Sequence, residues 1–147
     1  MQIPFLNRLQ GLSGVTVNKV VPAGNGPEHQ AATQLLQRVL EELPELLAAA
    51  VIQIESGQPV ATYTTTRDFN PAKIAGFNAA LVQAQRQALT ALATDPDERL
   101  EEILITLPTQ MHLLRLLTNN QQLLYVAVES RDTNLGIARE VMRSCEI

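Results

Sequence analysis

The chain has 147 residues, of which 46% are hydrophobic, 3% are aromatic and 18% are charged, and its formal net charge at pH 7 is −4. This length suits one domain whose core is large enough to fold without a disulfide or a metal ion. The negative charge and the few aromatic side chains argue against binding to a phosphate backbone or stacking on bases. With a single cysteine, Cys145, and neither a signal-peptide pattern nor a long apolar run, the sequence predicts a cytoplasmic protein.

The first 26 residues differ in composition from the rest. They contain four of the seven glycines and two prolines, and short apolar groups lie between these breakers. We expect an N-terminal extension over residues 1–26, with one short helical turn and one short strand, followed by a domain over residues 27–147. An added strand, a partner-binding arm and a disordered tail all remain open for the extension. Its many Val and Leu residues favour a segment that is ordered against the body.

The domain begins with a helix and a hairpin. Apolar residues recur at i, i+3, i+4 and i+7 from Leu36 to Leu43, which predicts a helix from Pro27 that Pro44 ends. The nearly continuous apolar run over 47–55 predicts a buried strand, although its alanines leave a helix as the alternative. Gly57 and the β-branched run over 60–66 favour the strand and a hairpin with a turn at 56–59.

The second helix, predicted over 70–93 with Asn70 as its N-cap, is apolar on two sides. At 100° per residue, one stripe holds Ile74, Phe77, Leu81, Ala88 and Leu92, and a second, adjacent stripe holds Ala75, Ala79, Val82, Leu89 and Ala93. Together they are much wider than the single stripe of a surface helix. We expect one stripe to pack on the sheet of the same chain and the other to meet a second protein. A helix deep in its own core is the alternative.

Three strand candidates follow at 100–108, 110–118 and 122–130, and Asn119–Asn120 fits the turn between the last two. A final helix begins after Asn134. The predicted order is therefore α-β-β-α-β-β-β-α. It indicates an α+β domain in which a five-stranded antiparallel sheet carries helices on both faces.

This order resembles the roadblock family, which is named for a dynein light chain. The residues that carry the resemblance are the first hairpin (45–63), the long Ala-rich helix (70–93), the three-strand meander (101–130) and the closing helix (132–144), which starts at Asn134-Leu135-Gly136. The resemblance implies a fold similar to those of profilin and longin domains. It also implies a homodimer that pairs through the central helix and the third strand.

The resemblance further implies a non-catalytic protein that regulates or scaffolds a Ras-like small GTPase. On this interpretation the second stripe and the third strand form the dimer interface, and polar residues of the central helix form a platform for the partner. The interface residues are Ala75, Ala79, Val82, Leu89, Ile103 and Ile105. The platform residues are Lys73, Gln83, Arg86 and Gln87.

The sequence contains no motif of a catalytic site. It lacks a phosphate-binding GxxxxGK[ST] loop and the GxGxxG, HExxH and GxSxG patterns. We therefore expect neither an enzyme, nor a cofactor, nor a metal site. We interpret Cys145 as a structural thiol, and His29 and His112 as structural or solvent-facing residues. Glu101 and Glu102 are adjacent in a strand, so they point to opposite faces and cannot act together on one substrate. Nothing singles out Arg67, Arg86 or Arg115 as an arginine that assists a GTPase.

Two other functions remain open at this point. One is a sensor for a small ligand, possibly lipid-like, because profilin-like sheets also underlie such modules. The other is a scaffold for partners other than GTPases.

Overall fold

Three α-helices and six β-strands form in the part of the chain that the computed structural model describes, residues 15–146. The helices are α1 (Pro27–Glu42), α2 (Pro71–Ala91) and α3 (Leu135–Cys145). The strands are β1 (Val21–Pro22), β2 (Leu46–Gln53), β3 (Pro59–Thr64), β4 (Glu102–Thr106), β5 (Gln110–Leu116) and β6 (Gln122–Glu129). The chain is thus an α+β protein with an antiparallel sheet, as the sequence predicts.

The sheet has six strands where the sequence predicted five, because β1 adds one at the edge beside β3. Val21 lies opposite Thr62, and the buried Val20 joins the core. The predicted element order, which started at α1, is therefore wrong at its beginning. Residues 18–23 of the predicted extension pair with β3. The helical turn expected in the extension does not occur in residues 15–26, and residues 1–14 lie outside the described residues.

The order of the strands across the sheet is β1-β3-β2-β6-β5-β4, and every neighbouring pair is antiparallel. β2 lies inside the sheet between β3 and β6, which explains why its sequence is almost uninterruptedly apolar. The hairpins β2–β3, β4–β5 and β5–β6 pair strands that are neighbours in sequence. The β2–β6 pair joins the two halves of the chain, with Ala49 opposite Val126.

The helices cover both faces of the sheet. On one face α1 and α3 pack on a core that includes Leu36, Val39 and Met142. On the other face α2 packs alone, over Ala50, Ile52 and other side chains of β2, β5 and β6. Among residues 15–146, one face is thus covered by two helices and the other by α2 alone.

The start of α2 is fixed by local chemistry. The Oδ1 atom of Asn70 accepts a hydrogen bond from the N–H of Lys73 at 3.1 Å, and Pro71 occupies the first turn. The β2–β3 turn approaches the helix closely: a Cβ atom added to Gly57 would lie 3.5 Å from the Cα atom of Gly76. Gly57 also has a φ of +71°, which favours glycine. These contacts set the rotation of α2 about its axis.

Candidate interaction surface

The outer side of α2 carries a row of exposed apolar side chains. Phe77 and Leu92 are each 72% exposed and Leu81 is 37% exposed, and the exposed Ala84 and Ala88 lie between them. The spacing along the helix is four, three, four and four residues, so the five side chains share one face. Phe77, Leu81, Ala84, Ala88 and Leu92 are called the outer stripe below. Large side chains exposed in such a row are typical of a surface that another protein covers.

The predicted interface stripe faces the sheet of its own chain. Ala75, Ala79 and Val82 are at most 2% exposed and belong to the core between α2 and the sheet. These three residues, which the sequence analysis placed in the dimer interface, therefore lie against the sheet of their own chain and not on its exposed surface. The physical reason is that Ala48 and Ala50 of β2 lie in the same core cluster, so small side chains meet small ones and the helix comes close. The exposed large apolar side chains of α2 belong to the first stripe instead, although Ile74 of that stripe also packs against the core.

The remaining predicted interface residues lie at the margin of this core. Leu89, on the second stripe, is half-buried. Ile103 and Ile105 of β4 are also half-buried and pack against the core cluster of α2. β4 pairs with β5 on one side only, so in the described part of the chain its other side is an open edge. The outer stripe and the β4 edge together are called the α2–β4 surface.

The four predicted platform residues divide into two pairs. Gln83 donates a hydrogen bond to the carbonyl oxygen of Ile54, and Arg86 donates to Asn120. These two side chains hold α2 to the hairpin turns of its own chain. Lys73 and Gln87 are exposed. The structure thus leaves two of the four residues oriented toward solvent.

The other two arginines considered from the sequence are in different situations. Glu102 forms an ion pair with Arg139 of α3, at 2.6 Å between Oε1 and Nε, and lies 3.7 Å from Nη1 of Arg115. Arg115 therefore takes part in a contact between β4, β5 and α3. Arg67 is exposed in the loop before α2.

His112 and Tyr125 form a small polar group on the α2 side of the sheet. Their rings meet edge to face, 5.6 Å apart, and Nε2 of His112 lies 2.9 Å from Oε1 of Gln110. Burial lowers the pKa of His112 and raises the pKa of Tyr125 to about 12. Both side chains therefore favour their neutral forms in the folded protein at neutral pH.

Cys145 lies at the end of α3 with 5% of its surface exposed. Burial raises the pKa of its thiol, and the nearby Glu42 carboxylate acts in the same direction. The neutral thiol is favoured in this position, which fits a residue that packs in the core.

A groove of about 580 Å³ runs between α1 and the turn that joins β5 to β6. Its acidic side chains already have partners in the chain. Glu28 accepts hydrogen bonds from Gln53 and Gln122, and Glu146 accepts two from Thr118. A polar ligand would have to replace these internal bonds.

Two further structural facts concern the described residues. Within 15–146, no three His, Cys, Asp or Glu side chains come together in a group that could hold a metal ion. Over the same range, no helix has the length and apolar character needed to cross a bilayer.

Comparison with known proteins shows that the chain is similar to some of them in its fold but not detectably in its sequence. No family model matches the chain, and no curated protein matches its sequence. Among solved structures, MglB of Myxococcus xanthus superposes with a TM-score of 0.72 at 13% identity, covering 84% of this chain and 87% of that one. The gliding protein MglB of Thermus thermophilus gives 0.66 at 16% identity, with 89% and 92% covered.

A third solved structure carries the family name in its description. The Roadblock/LC7 domain from Streptomyces avermitilis superposes with a TM-score of 0.64 at 13% identity, covering 76% of this chain and 88% of that one. The three likenesses extend over most of each chain. They concern the arrangement of helices and strands rather than particular side chains.

Proposed function

Since the chain has the roadblock fold, we propose that it is a homodimeric, non-catalytic interaction protein that regulates or scaffolds a Ras-like small GTPase. The fold supports the class of protein. The outer stripe supports the dimer, and it is the observation on which the proposal mainly rests.

The composition of α2 suits pairing with a second copy of itself. The helix contains no acidic residue, and its only charged residues are Lys73 and Arg86. Arg86 lies on the opposite side of α2 and is bound to Asn120, and Lys73 lies one turn before Phe77, at the N-terminal end of the outer stripe. Two α2 helices can therefore approach along the outer stripe with no charged side chain between Phe77 and Leu92.

The sizes of the side chains suit an antiparallel pair. In a twofold arrangement centred between Ala84 and Gln85, Phe77 of one helix lies opposite Leu92 of the other, and Leu81 lies opposite Ala88. The small Ala84 lies at the axis, where the two backbones are nearest. A surface that complements itself in this way generates a closed dimer.

We propose that the β4 edge forms a second part of the interface. Within residues 15–146 no strand pairs with its outer side, and Ile103 and Ile105 pack against the core cluster on the α2 side. Pairing of two β4 strands would join two sheets into one and cover an edge that otherwise favours unspecific association.

The GTPase is proposed as the partner because the roadblock resemblance implies it. Lys73 and Gln87 are exposed on α2 beside the outer stripe, so a dimer presents both residues twice on one side. Arg86 and Arg115 are engaged within the chain and Arg67 is exposed in the loop before α2, so the geometry favours none of the three as an arginine donated to a GTPase site. We therefore propose a role in binding.

A capture experiment tests this function. Immobilised protein is exposed to host cytosol loaded with a GTP analogue or with GDP, and bound proteins are identified by mass. We expect a Ras-like GTPase that binds in one nucleotide state and is reduced by Lys73→Glu. Lys19→Glu, an equally exposed lysine on another element, serves as the matched control.

Absence of a GTPase from both samples would contradict the proposal. It would favour a scaffold for other partners or a ligand sensor. A thermal-shift screen with metabolites and fatty acids would then separate these two, because a ligand at 100 times its Kd adds about 2.7 kcal/mol of stability.

A further inference from the structure

The two edges of the sheet differ in whether further backbone pairs with the edge strand. Within residues 15–146 no strand pairs with the outer side of β4, whereas the β3 edge is covered along its length by residues 18–23. Val21 and Pro22 pair with Thr62 and Ala61, and beyond them Ala23 donates to Val60 at 2.9 Å and Asn18 donates to Thr64 at 2.7 Å. This segment, Asn18 to Ala23, is called the strap.

The strap is held by few contacts. Its regular pairing is two residues long, and Val20 is its only side chain that is buried. Asn18 has a φ of +60°, a conformation that non-glycine residues rarely adopt. Since local opening is easiest where few apolar contacts and few hydrogen bonds hold a segment, the strap can open without unfolding the sheet.

The strap has the features that keep the edge of a sheet from pairing with another chain. It is short, Lys19 is exposed, and Pro22 occupies a position where a donor would face outward. The last point follows from the ladder: Ala23 bonds Val60, so the alternation of an antiparallel pair turns the N–H position of Pro22 away from β3. Short length, charge and proline are known features that prevent an edge strand from pairing with another chain.

The strand beneath the strap has none of these features beyond its first residue. β3 and the two threonines after it, residues 59–66, contain no charged side chain and are rich in β-branched residues. An uncharged strand of this composition pairs readily with a copy of itself, because antiparallel self-pairing brings no like charges together. Once the strap leaves, such a strand becomes the edge.

We propose that the strap masks a second self-association edge on β3, and that its displacement lets two copies of the chain pair through that edge. The size of the assembly that forms when the strap is displaced rests on the proposed function. If the chain already pairs through the α2–β4 surface, a second pairing edge at the opposite end of the sheet produces open-ended assemblies. If that dimer does not form, displacement of the strap produces dimers only.

The first test uses the intact chain and residue-resolved amide hydrogen exchange. The register points the N–H of Thr62 toward Val21 of the strap, and those of Ala61 and Tyr63 toward β2. If the strap opens alone, the Thr62 amide exchanges at least about tenfold faster than its two neighbours. Equal protection of the three amides would overturn the proposal, because the strap would then open only with the sheet.

The second test displaces the strap in the full-length protein. Val20→Asp places a carboxylate in the buried position, and Lys19→Asp places the same group at the adjacent exposed position as a control. By light scattering we expect Val20→Asp to form larger species than the intact chain, increasingly with concentration, and Lys19→Asp to keep the original size. Adding Thr62→Lys to Val20→Asp should restore that size by putting a charge on the β3 edge.

The outcomes separate the two proposals. Open-ended growth of Val20→Asp supports both, and a monomeric intact chain whose Val20→Asp variant is dimeric supports the strap alone. A folded Val20→Asp variant with fast Thr62 exchange and unchanged size would overturn the strap proposal. If Val20→Asp does not fold, the exchange pattern of the intact chain decides.

Discussion

Arg86 of α2 donates two hydrogen bonds to Asn120, one to the backbone oxygen at 3.0 Å and one to the side-chain oxygen at 2.7 Å. Asn120 lies in the turn between β5 and β6 and has a φ of +60°. The contact joins residues 34 positions apart and ties the helix to the end of the sheet. Because of this contact we assign Arg86 a role in positioning α2, and we no longer include it in the platform for a partner.

Arg86→Ala should therefore lower the free energy of unfolding by about 1 kcal/mol, the usual net value of exposed hydrogen bonds of this kind. The dimer should persist, because Arg86 lies outside the outer stripe. Urea titration checks the first expectation and light scattering the second. An unchanged midpoint would show that the two hydrogen bonds contribute no stability in solution.

Two glycines on facing elements should respond to alanine in opposite directions. Gly57→Ala should destabilise the protein by about 1 kcal/mol, because Gly57 has a φ of +71°, which an alanine rarely adopts. Gly76→Ala should stabilise it by about 0.5–1 kcal/mol, because alanine favours a helix and nothing lies within 4 Å of the added Cβ. Thermal unfolding of both variants gives the signs, and equal signs would contradict the packing described here.

His112 should make stability depend on pH below neutrality. Burial lowers its folded-state pKa below the ordinary value of 6.5, so the unfolded chain binds the proton more readily. Stability from this residue is present above pH 6.5 and is lost as the pH falls through the folded-state pKa. Tyr125, with a pKa of about 12, stays protonated throughout this range.

Urea titrations at pH 7 and pH 5 of the intact chain and of His112→Gln measure this effect. We expect the intact chain to lose more stability between the two pH values than the variant loses, because glutamine keeps a polar side chain but does not titrate. Equal losses would show that His112 has the same proton affinity in the folded and unfolded states.

The elements were predictable because their ends carry strong local signals. Asn70, a predicted N-cap, accepts from the N–H of Lys73, and the predicted helix over 70–93 is Pro71–Ala91 in the structure. Asn119–Asn120 marks the last hairpin, where Asn120 has the positive φ that asparagine tolerates. Caps and turns involve residues close in sequence, so composition and spacing are enough to find them.

The parts that were wrong depend on contacts between distant residues. Which stripe of α2 faces the sheet is decided by Ala48 and Ala50 of β2 and by the bonds of Gln83 and Arg86 to two hairpin turns. Both stripes are apolar, so their periodicity cannot choose between them. One signal was present in the sequence: Arg86 lies within the second stripe and Gln83 lies beside it, and long polar side chains at such positions can reach the ends of the sheet. The sequence predicted a short strand in the extension but not its position, because a strand of two residues shows no periodicity.

Three single substitutions by aspartate, each on a different side of α2, test whether the outer stripe forms the dimer surface. Leu81→Asp lies in the outer stripe, Val82→Asp lies in the core, and Thr90→Asp lies at an exposed position away from both. Val82→Asp should unfold or strongly destabilise the chain, because a buried unpaired charge is costly. Leu81→Asp and Thr90→Asp should fold like the intact protein.

The measurement that tests the central claim most directly is the mass of the intact chain and of Leu81→Asp in solution by light scattering. We expect the intact chain and Thr90→Asp at twice the 16.1 kDa of a single chain, and Leu81→Asp at 16.1 kDa with unchanged circular dichroism. A folded Leu81→Asp variant that remains dimeric, or an intact chain that is monomeric at high concentration, would contradict the assignment of the outer stripe as the dimer surface.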